Sequence, residues 1–192
     1  MNKKLVVTAV VATLASIPAM ASLQKGDSAP DFKAQASLAG KEFSYSLKDA
    51  LKKGPVVVYF YPSAYTSGCN IQAHTFSENH QKFAAAGASI VGVSLDRIET
   101  LNKFSADPEY CAGNLPVASD VDGKIAQSYQ LKVTEGRAGQ KNTKGEEIGH
   151  GFAERTTFIV MPDGKIAATV GGVSPKENVE KALDAVQHLK AG

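Results

Sequence analysis

Tryptophan is absent from these 192 residues, and only two cysteines, Cys69 and Cys111, and four scattered histidines occur. Two cysteines cannot build a disulfide scaffold, and the Cys and His spacing offers no four-ligand zinc pattern, so metal-dependent folding is not expected. No charge sign dominates either, with 21 Lys and Arg against 19 Asp and Glu. That balance lacks the basic field needed to bind nucleic acid or an anionic membrane. An apolar content of 43% is too high for a disordered tail and fits one domain with a proper core.

Long apolar runs are missing except at the start. Asn2-Lys3-Lys4 precedes an almost wholly apolar stretch, Leu5 to Ile17, and Ala19-Met20-Ala21 forms a small-x-small cleavage site before Ser22. The stretch is short for a bilayer span, which takes about 20 apolar residues, and it contains Thr8, Thr13, Ser16 and Pro18. Residues 1–21 therefore read as a secretory signal peptide and 22–192 as the mature domain, with 19 basic and 19 acidic residues. For a Gram-negative source the destination is the periplasm, where disulfides persist.

Within the mature chain, Val56 to Tyr61 is a β-branched and aromatic run ended by Pro62, the pattern of a strand buried on both faces. Gly68 to Ala86 contains no proline and no glycine beyond its first residue, and predicts a helix closed by Gly87. Ser89 to Leu95 repeats the buried-strand pattern, Glu99 to Phe104 predicts a helix, and Asp122-Gly123 opens another through Tyr129. Thr156 to Met161, the turn Pro162-Asp163-Gly164-Lys165 and Ile166 to Val170 form a hairpin, followed by a helix over Pro175 to Lys190. This order predicts an α/β fold with a mixed central sheet flanked by helices. Thr134 to Gly151 holds five glycines without periodic apolar positions, so a long loop or irregular hairpin is expected, either a lid or a tolerated insertion.

Pro62-Ser63-Ala64-Tyr65-Thr66-Ser67-Gly68-Cys69 leaves the buried strand, turns, and delivers Cys69 to the first turn of the long helix. Free amides and the positive end of the helix dipole stabilise a thiolate there, the nucleophilic form of the side chain. Thr66 can cap the turn and hold its hydroxyl near the sulfur, Pro62 fixes the exit from the strand, and Gly68 relieves crowding. Any one of these is ordinary punctuation; together with a cysteine they point to chemistry.

With Pro62-x-x-x-Thr66-x-x-Cys69 after an apolar strand, the sequence resembles the peroxiredoxins, most closely the bacterioferritin-comigratory-protein or PrxQ branch. Glu154-Arg155-Thr156-Thr157-Phe158-Ile159-Val160 resembles the family's arginine-bearing strand, and Gly26-Asp27-x-Ala29-Pro30-Asp31-Phe32 agrees with its start. The resemblance implies a thioredoxin-like fold with an added N-terminal β-hairpin. It also implies that Cys69 is the peroxidatic cysteine, that Pro62, Thr66 and Arg155 complete the peroxide pocket, and that no bound cofactor is needed. Cys111, 42 residues on and placed at the end of the following helix, is the implied resolving cysteine, and a thioredoxin-like dithiol the implied reductant. Asn70 and Gln72 depart from the family, where Thr or Ser and Glu are usual; Gln72 can hydrogen-bond but carries no charge.

Three other readings remain open. The cysteines can form a permanent staple, which for this loop contributes up to about 4 kcal/mol. A redox sensor or binding module can use the same scaffold without turnover. A thiol–disulfide oxidoreductase wants Cys-x-x-Cys, and Gln72 occupies the second position. His74 and His80, six apart, do not share a helix face as ligands, and Phe60, Tyr61, Phe104 and Tyr129 are read as core or pocket wall. A monomer or weak homodimer is expected.

Overall fold

The computed structural model describes residues 22–190, excluding the Lys190 side chain; the segment 1–21, read from the sequence as a signal peptide, lies outside the described residues. The elements run β1 (Lys33–Leu38), β2 (Lys41–Ser46), α1 (Leu47–Leu51), β3 (Val56–Phe60), α2 (Ser67–Ala85), β4 (Ser89–Ser94) and α3 (Ile98–Ala106). They continue with β5 (Val117–Ser119), α4 (Lys124–Ser128), β6 (Val133–Thr134), β7 (Phe152–Ala153), β8 (Thr156–Val160), β9 (Ile166–Gly171) and α5 (Pro175–Lys190).

Seven strands form one mixed sheet in the order β2-β1-β5-β4-β3-β8-β9. The β3, β4 and β5 strands are parallel neighbours, as their helical crossovers demand, while β8 and β9 add an antiparallel hairpin. The N-terminal hairpin is the β1–β2 pair, joined to β5 at the edge of the same sheet. Its two-residue turn places Ala39 and Gly40 at φ 50° and 78°, as tight hairpins of this hand require.

Strand β3 is buried throughout, and alternate residues face opposite ways. Val56, Val58 and Phe60 join Phe32, Tyr129 and Phe158 on one face. Val57 and Tyr59 join Phe76, Phe83, Leu101, Phe104 and Val179 under α2, α3 and α5 on the other. Phe60, Tyr61, Phe104 and Tyr129 are all core residues. No helix among the described residues is long and apolar enough to cross a membrane.

Thr134 to Gly151 is an irregular hairpin closed by the β6–β7 ladder and a Lys141–Glu147 bridge. It is a strap tied to the segments that carry both cysteines. The Thr143 amide and hydroxyl both donate to the Tyr65 carbonyl, at 2.7 and 2.8 Å. Lys144 meets Asp107 at 3.2 Å and lies over the rings of Tyr65 and Tyr110.

Candidate active site

Strand β3 must stop before Pro62, which cannot donate to a ladder. The chain then turns through Tyr65, held at φ 58°, and enters α2 with Thr66 as the extended N-cap residue. Cys69, 2% exposed, is the third helical residue. The first amides of a helix have no intrahelical acceptor and carry its positive end, so the sulfur sits where negative charge is favoured. The side-chain cap expected of Thr66 is not formed. Its hydroxyl instead donates to the Ser63 carbonyl at 2.9 Å, closing the loop, while its carbonyl accepts from Asn70.

Arg155, just before β8, donates from Nη2 to Cys69 Sγ at 3.3 Å and from Nη1 to Gln72 Oε1. Gln72 in turn donates to Asn178 Oδ1 at 2.8 Å. The same oxygen accepts from Thr157 at 2.6 Å, and Asn178 Nδ2 donates to the Val170 carbonyl at 2.9 Å. Gln72, Thr157 and Asn178 are all fully buried. A neutral chain of hydrogen bonds thus fixes the guanidinium where a charged glutamate was the family expectation. Gly68 makes room for it, since a Cβ there would lie 3.1 Å from Arg155 Nη2.

Cys111 does not lie at the end of α3. Proline disfavours helical geometry in the residue before it, and Asp107, which precedes Pro108, is extended with ψ 118°; the helix stops at Ala106. Cys111 follows in a series of turns in which Ala112 adopts φ 51°. Its thiol is fully buried, and burial, reinforced by the Asp107 charge, pushes its pKa well above the usual thiol range.

The two cysteines are unbonded. Ser77 donates to the Cys111 carbonyl at 3.0 Å, and His74 Nδ1 is 2.9 Å from the Glu109 carbonyl, so the Glu109–Cys111 segment runs along α2 away from Cys69. Ser77 is eight residues beyond Cys69, about 12 Å along the axis at 1.5 Å per residue. A disulfide needs Cα atoms within about 7 Å. Tyr59, packed in the same core cluster as both cysteines, has a fully buried hydroxyl without a hydrogen-bond partner. Its pKa is driven far up, first by burial and then by the charges of Cys111 and Cys69.

The structure therefore brings Cys69, Arg155 and the Pro62–Thr66 loop together and leaves Cys111 apart. The sequence assigns no role to Asn178, Asp96, Thr143 and His150, because each reaches the site from a distant segment with no local motif, nor to Thr157, which lies inside the arginine-bearing strand but carries no signal of its own. Among the described residues, no group of three Cys, His, Asp or Glu could hold a metal.

Residues 25–169 match the AhpC/TSA family model. A Helicobacter pylori protein named in the bcp peroxiredoxin group is 34% identical over 87% of this chain and 100% of its own length. "Peroxiredoxin Bcp" of Bacillus subtilis is 32% identical over 70% of this chain and 78% of its own. The crystal structure of peroxidoxin BcpB from Mycobacterium tuberculosis superposes with a TM-score of 0.72 at 28% identity, covering 87% of this chain and 98% of that one. With these likenesses joined to a helix-start cysteine held by an arginine, the chain belongs to the AhpC/TSA family and is a peroxiredoxin of the bacterioferritin-comigratory-protein/PrxQ branch, a thiol peroxidase.

Proposed function

We propose that the mature protein, residues 22–192, is exported to the periplasm and reduces hydrogen peroxide and small organic hydroperoxides at Cys69, with Cys111 as resolving cysteine. The observation that carries this reading is Arg155 Nη2 at 3.3 Å from Cys69 Sγ at the start of α2. The thiolate attacks one peroxide oxygen, the O–O bond breaks, and the departing oxygen takes a proton to leave as water or an alcohol. Arg155 and the helix amides stabilise the charge moving from sulfur to oxygen. Cys69 becomes a sulfenic acid; the Cys111 thiol then condenses with it and expels water, forming a disulfide. A thioredoxin-like dithiol reduces that bond by exchange and is itself oxidised. The organic-peroxide range draws support from a bacterioferritin comigratory protein of Xanthomonas campestris, 26% identical with a TM-score of 0.64, covering 81% of this chain and 91% of its own, whose structure is described together with alkyl peroxide reduction.

The permanent-staple reading is disfavoured by the roughly 12 Å offset along α2. The test is rapid-quench mixing of the reduced protein with one equivalent of hydrogen peroxide, followed by non-reducing peptide mapping. Fast consumption with a Cys69–Cys111 disulfide is expected; Cys69→Ser abolishes consumption, and Cys111→Ser stops after one turnover with sulfenic or sulfinic acid at Cys69. Slow consumption, or normal cycling without Cys111, overturns the scheme. Export is checked by N-terminal sequencing of the periplasmic protein, which should begin at Ser22.

A further inference from the structure

The loop before Cys69 is held from beneath by a buried carboxylate that the proposed chemistry does not use. Asp96, 2% exposed, accepts from the Ala64 amide at 2.7 Å, from the Ser63 hydroxyl at 3.0 Å and from the Ser94 hydroxyl at 2.7 Å. Its fourth partner is His150 Nε2 at 3.0 Å, and His150 belongs to the strap. The other ring nitrogen, Nδ1, is 2.7 Å from the Gly151 carbonyl. Both partners are pure acceptors, so both ring nitrogens satisfy them only as donors, which is the imidazolium form.

Other charged groups surround the ring. The β4–α3 link supplies Arg97 beside Asp96, the β5–α4 link supplies Asp122, and the strap supplies Glu135, Arg137, Glu146 and Glu147 to the two hollows His150 lines. Burial disfavours the charged ring, but the Asp96 hydrogen bond and charge outweigh it and raise the pKa above the ordinary 6.5.

We propose that Asp96 and His150 are positioning residues for the peroxidase reaction: the imidazolium pins the strap, through Asp96, to Ser63 and Ala64, holds the Cys69 loop closed for peroxide, and sets how fast it opens for disulfide formation. A second tie joins the same strap and loop, with the Thr143 amide and hydroxyl donating to the Tyr65 carbonyl. Neutral His150 has one proton for two acceptors, so it either releases Asp96 or holds it through an uncharged hydrogen bond about half as strong. Closure is therefore strong below the histidine's pKa and weak above it. The consequence for disulfide formation rests on the proposed resolution by Cys111; the clasp itself does not.

The experiment compares wild type with His150→Gln, which can still donate to Asp96 but carries no charge, and His150→Lys, which stays charged. The absence of tryptophan makes rapid quench with mass spectrometry the suitable readout. At pH 6 the sulfenate of His150→Gln should convert to disulfide about tenfold faster than in wild type, since a charge-assisted hydrogen bond is roughly twice as strong as a neutral one. The ratio should fall towards one by pH 9, and taking the ratio cancels the ionisation of Cys111. His150→Lys should form disulfide more slowly than wild type at pH 9. In the reduced proteins, the amides of Ala64 and Thr143 should exchange faster in His150→Gln than in wild type at pH 6 and equally at pH 9.

A ratio independent of pH, or unchanged exchange at Ala64 and Thr143, overturns the clasp. If exchange behaves as expected but no Cys111 disulfide forms in any of the proteins, the clasp stands and the resolving role of Cys111 fails. If the disulfide forms at equal rates in all three, the reverse holds.

Discussion

Asn178→Ala tests whether the arginine is held by the neutral chain behind it. The substitution removes the acceptor of Gln72 Nε2 and of the Thr157 hydroxyl, at 2.8 and 2.6 Å, and both donors are in fully buried side chains. An orphaned buried polar group costs about 1–3 kcal/mol, so two give about 4 kcal/mol, a large share of a domain's typical 5–15 kcal/mol. The variant should fold with a markedly lower urea midpoint. With Gln72 free to rotate, Arg155 loses the partner that aims it at Cys69. A charge-assisted bond is worth about 1.5–3 kcal/mol, and losing about 1.4 kcal/mol of it slows peroxide reaction tenfold. The assay is the second-order rate of Cys69 oxidation by rapid quench, well below the unfolding midpoint, for Asn178→Ala, Gln72→Ala and the double variant. If Asn178 aims Arg155 through Gln72, the double variant should react no more slowly than Gln72→Ala. A wild-type rate in Asn178→Ala, or additive losses, refutes the reasoning.

Two further outcomes follow from the same contacts. Gly92→Ala places a Cβ 2.5 Å from Tyr59 Cζ, in a ring stacked on Phe76 at 4.5 Å, so overpacking of about 2 kcal/mol should lower Tm by roughly 4–8 °C in calorimetry; an unchanged Tm means that the ring yields freely. The raised pKa of His150 makes its pair with Asp96 contribute stability fully below about pH 6.5, with loss as pH rises through the folded-state value, so the Tm gap between wild type and His150→Gln should close in alkaline buffer; a constant gap contradicts this.

Much of the frame was legible because burial writes itself into composition. Strands β3 and β4 are continuous apolar runs, the β8–β9 hairpin carries its turn in Pro162-Asp163-Gly164-Lys165, and α2 and α5 differ from the expected spans by no more than a residue. Strands β1, β2 and β5 have no range in the sequence reading, since KAQASL and the edge strand KEFSYS are sparsely apolar and β5 has three residues. The Cys69 loop showed in its motif, whereas Arg155 needed a family likeness to stand out from other strand arginines. The end of α3 was misplaced although Asp107-Pro108 carried the stop signal. Asn178 lies 106 residues from Gln72, and His150 lies 54 from Asp96; only the folded sheet makes them neighbours.

Bridging the offset between the cysteines requires part of α2 to unwind, and the site fixes where that stops. The first turn is held by bonds at its rim, from Ala64 to Asp96 and from Thr143 to Tyr65. Gln72 is anchored in the core by Asn178, so it is the natural hinge. From Gln72 to Ser77, beside Cys111, is about 7.5 Å of intact helix. Three unwound residues from Gln72 back to Cys69 can span about 10 Å, which covers that distance. Unwinding through Ile71 is therefore sufficient, with a smaller adjustment of the Cys111 turn. Loss of the carbonyl acceptors of residues 66–71 frees the amides of residues 70–75, while the Phe76 amide keeps the Gln72 carbonyl. Hydrogen exchange followed by mass spectrometry on the disulfide form should show protection lost over 70–75 and retained from Phe76 onward. Loss extending well past Phe76, or protection kept over 70–75 with exchange confined to 107–114, would mean that Gln72 is not the hinge and that the Cys111 segment makes the journey instead.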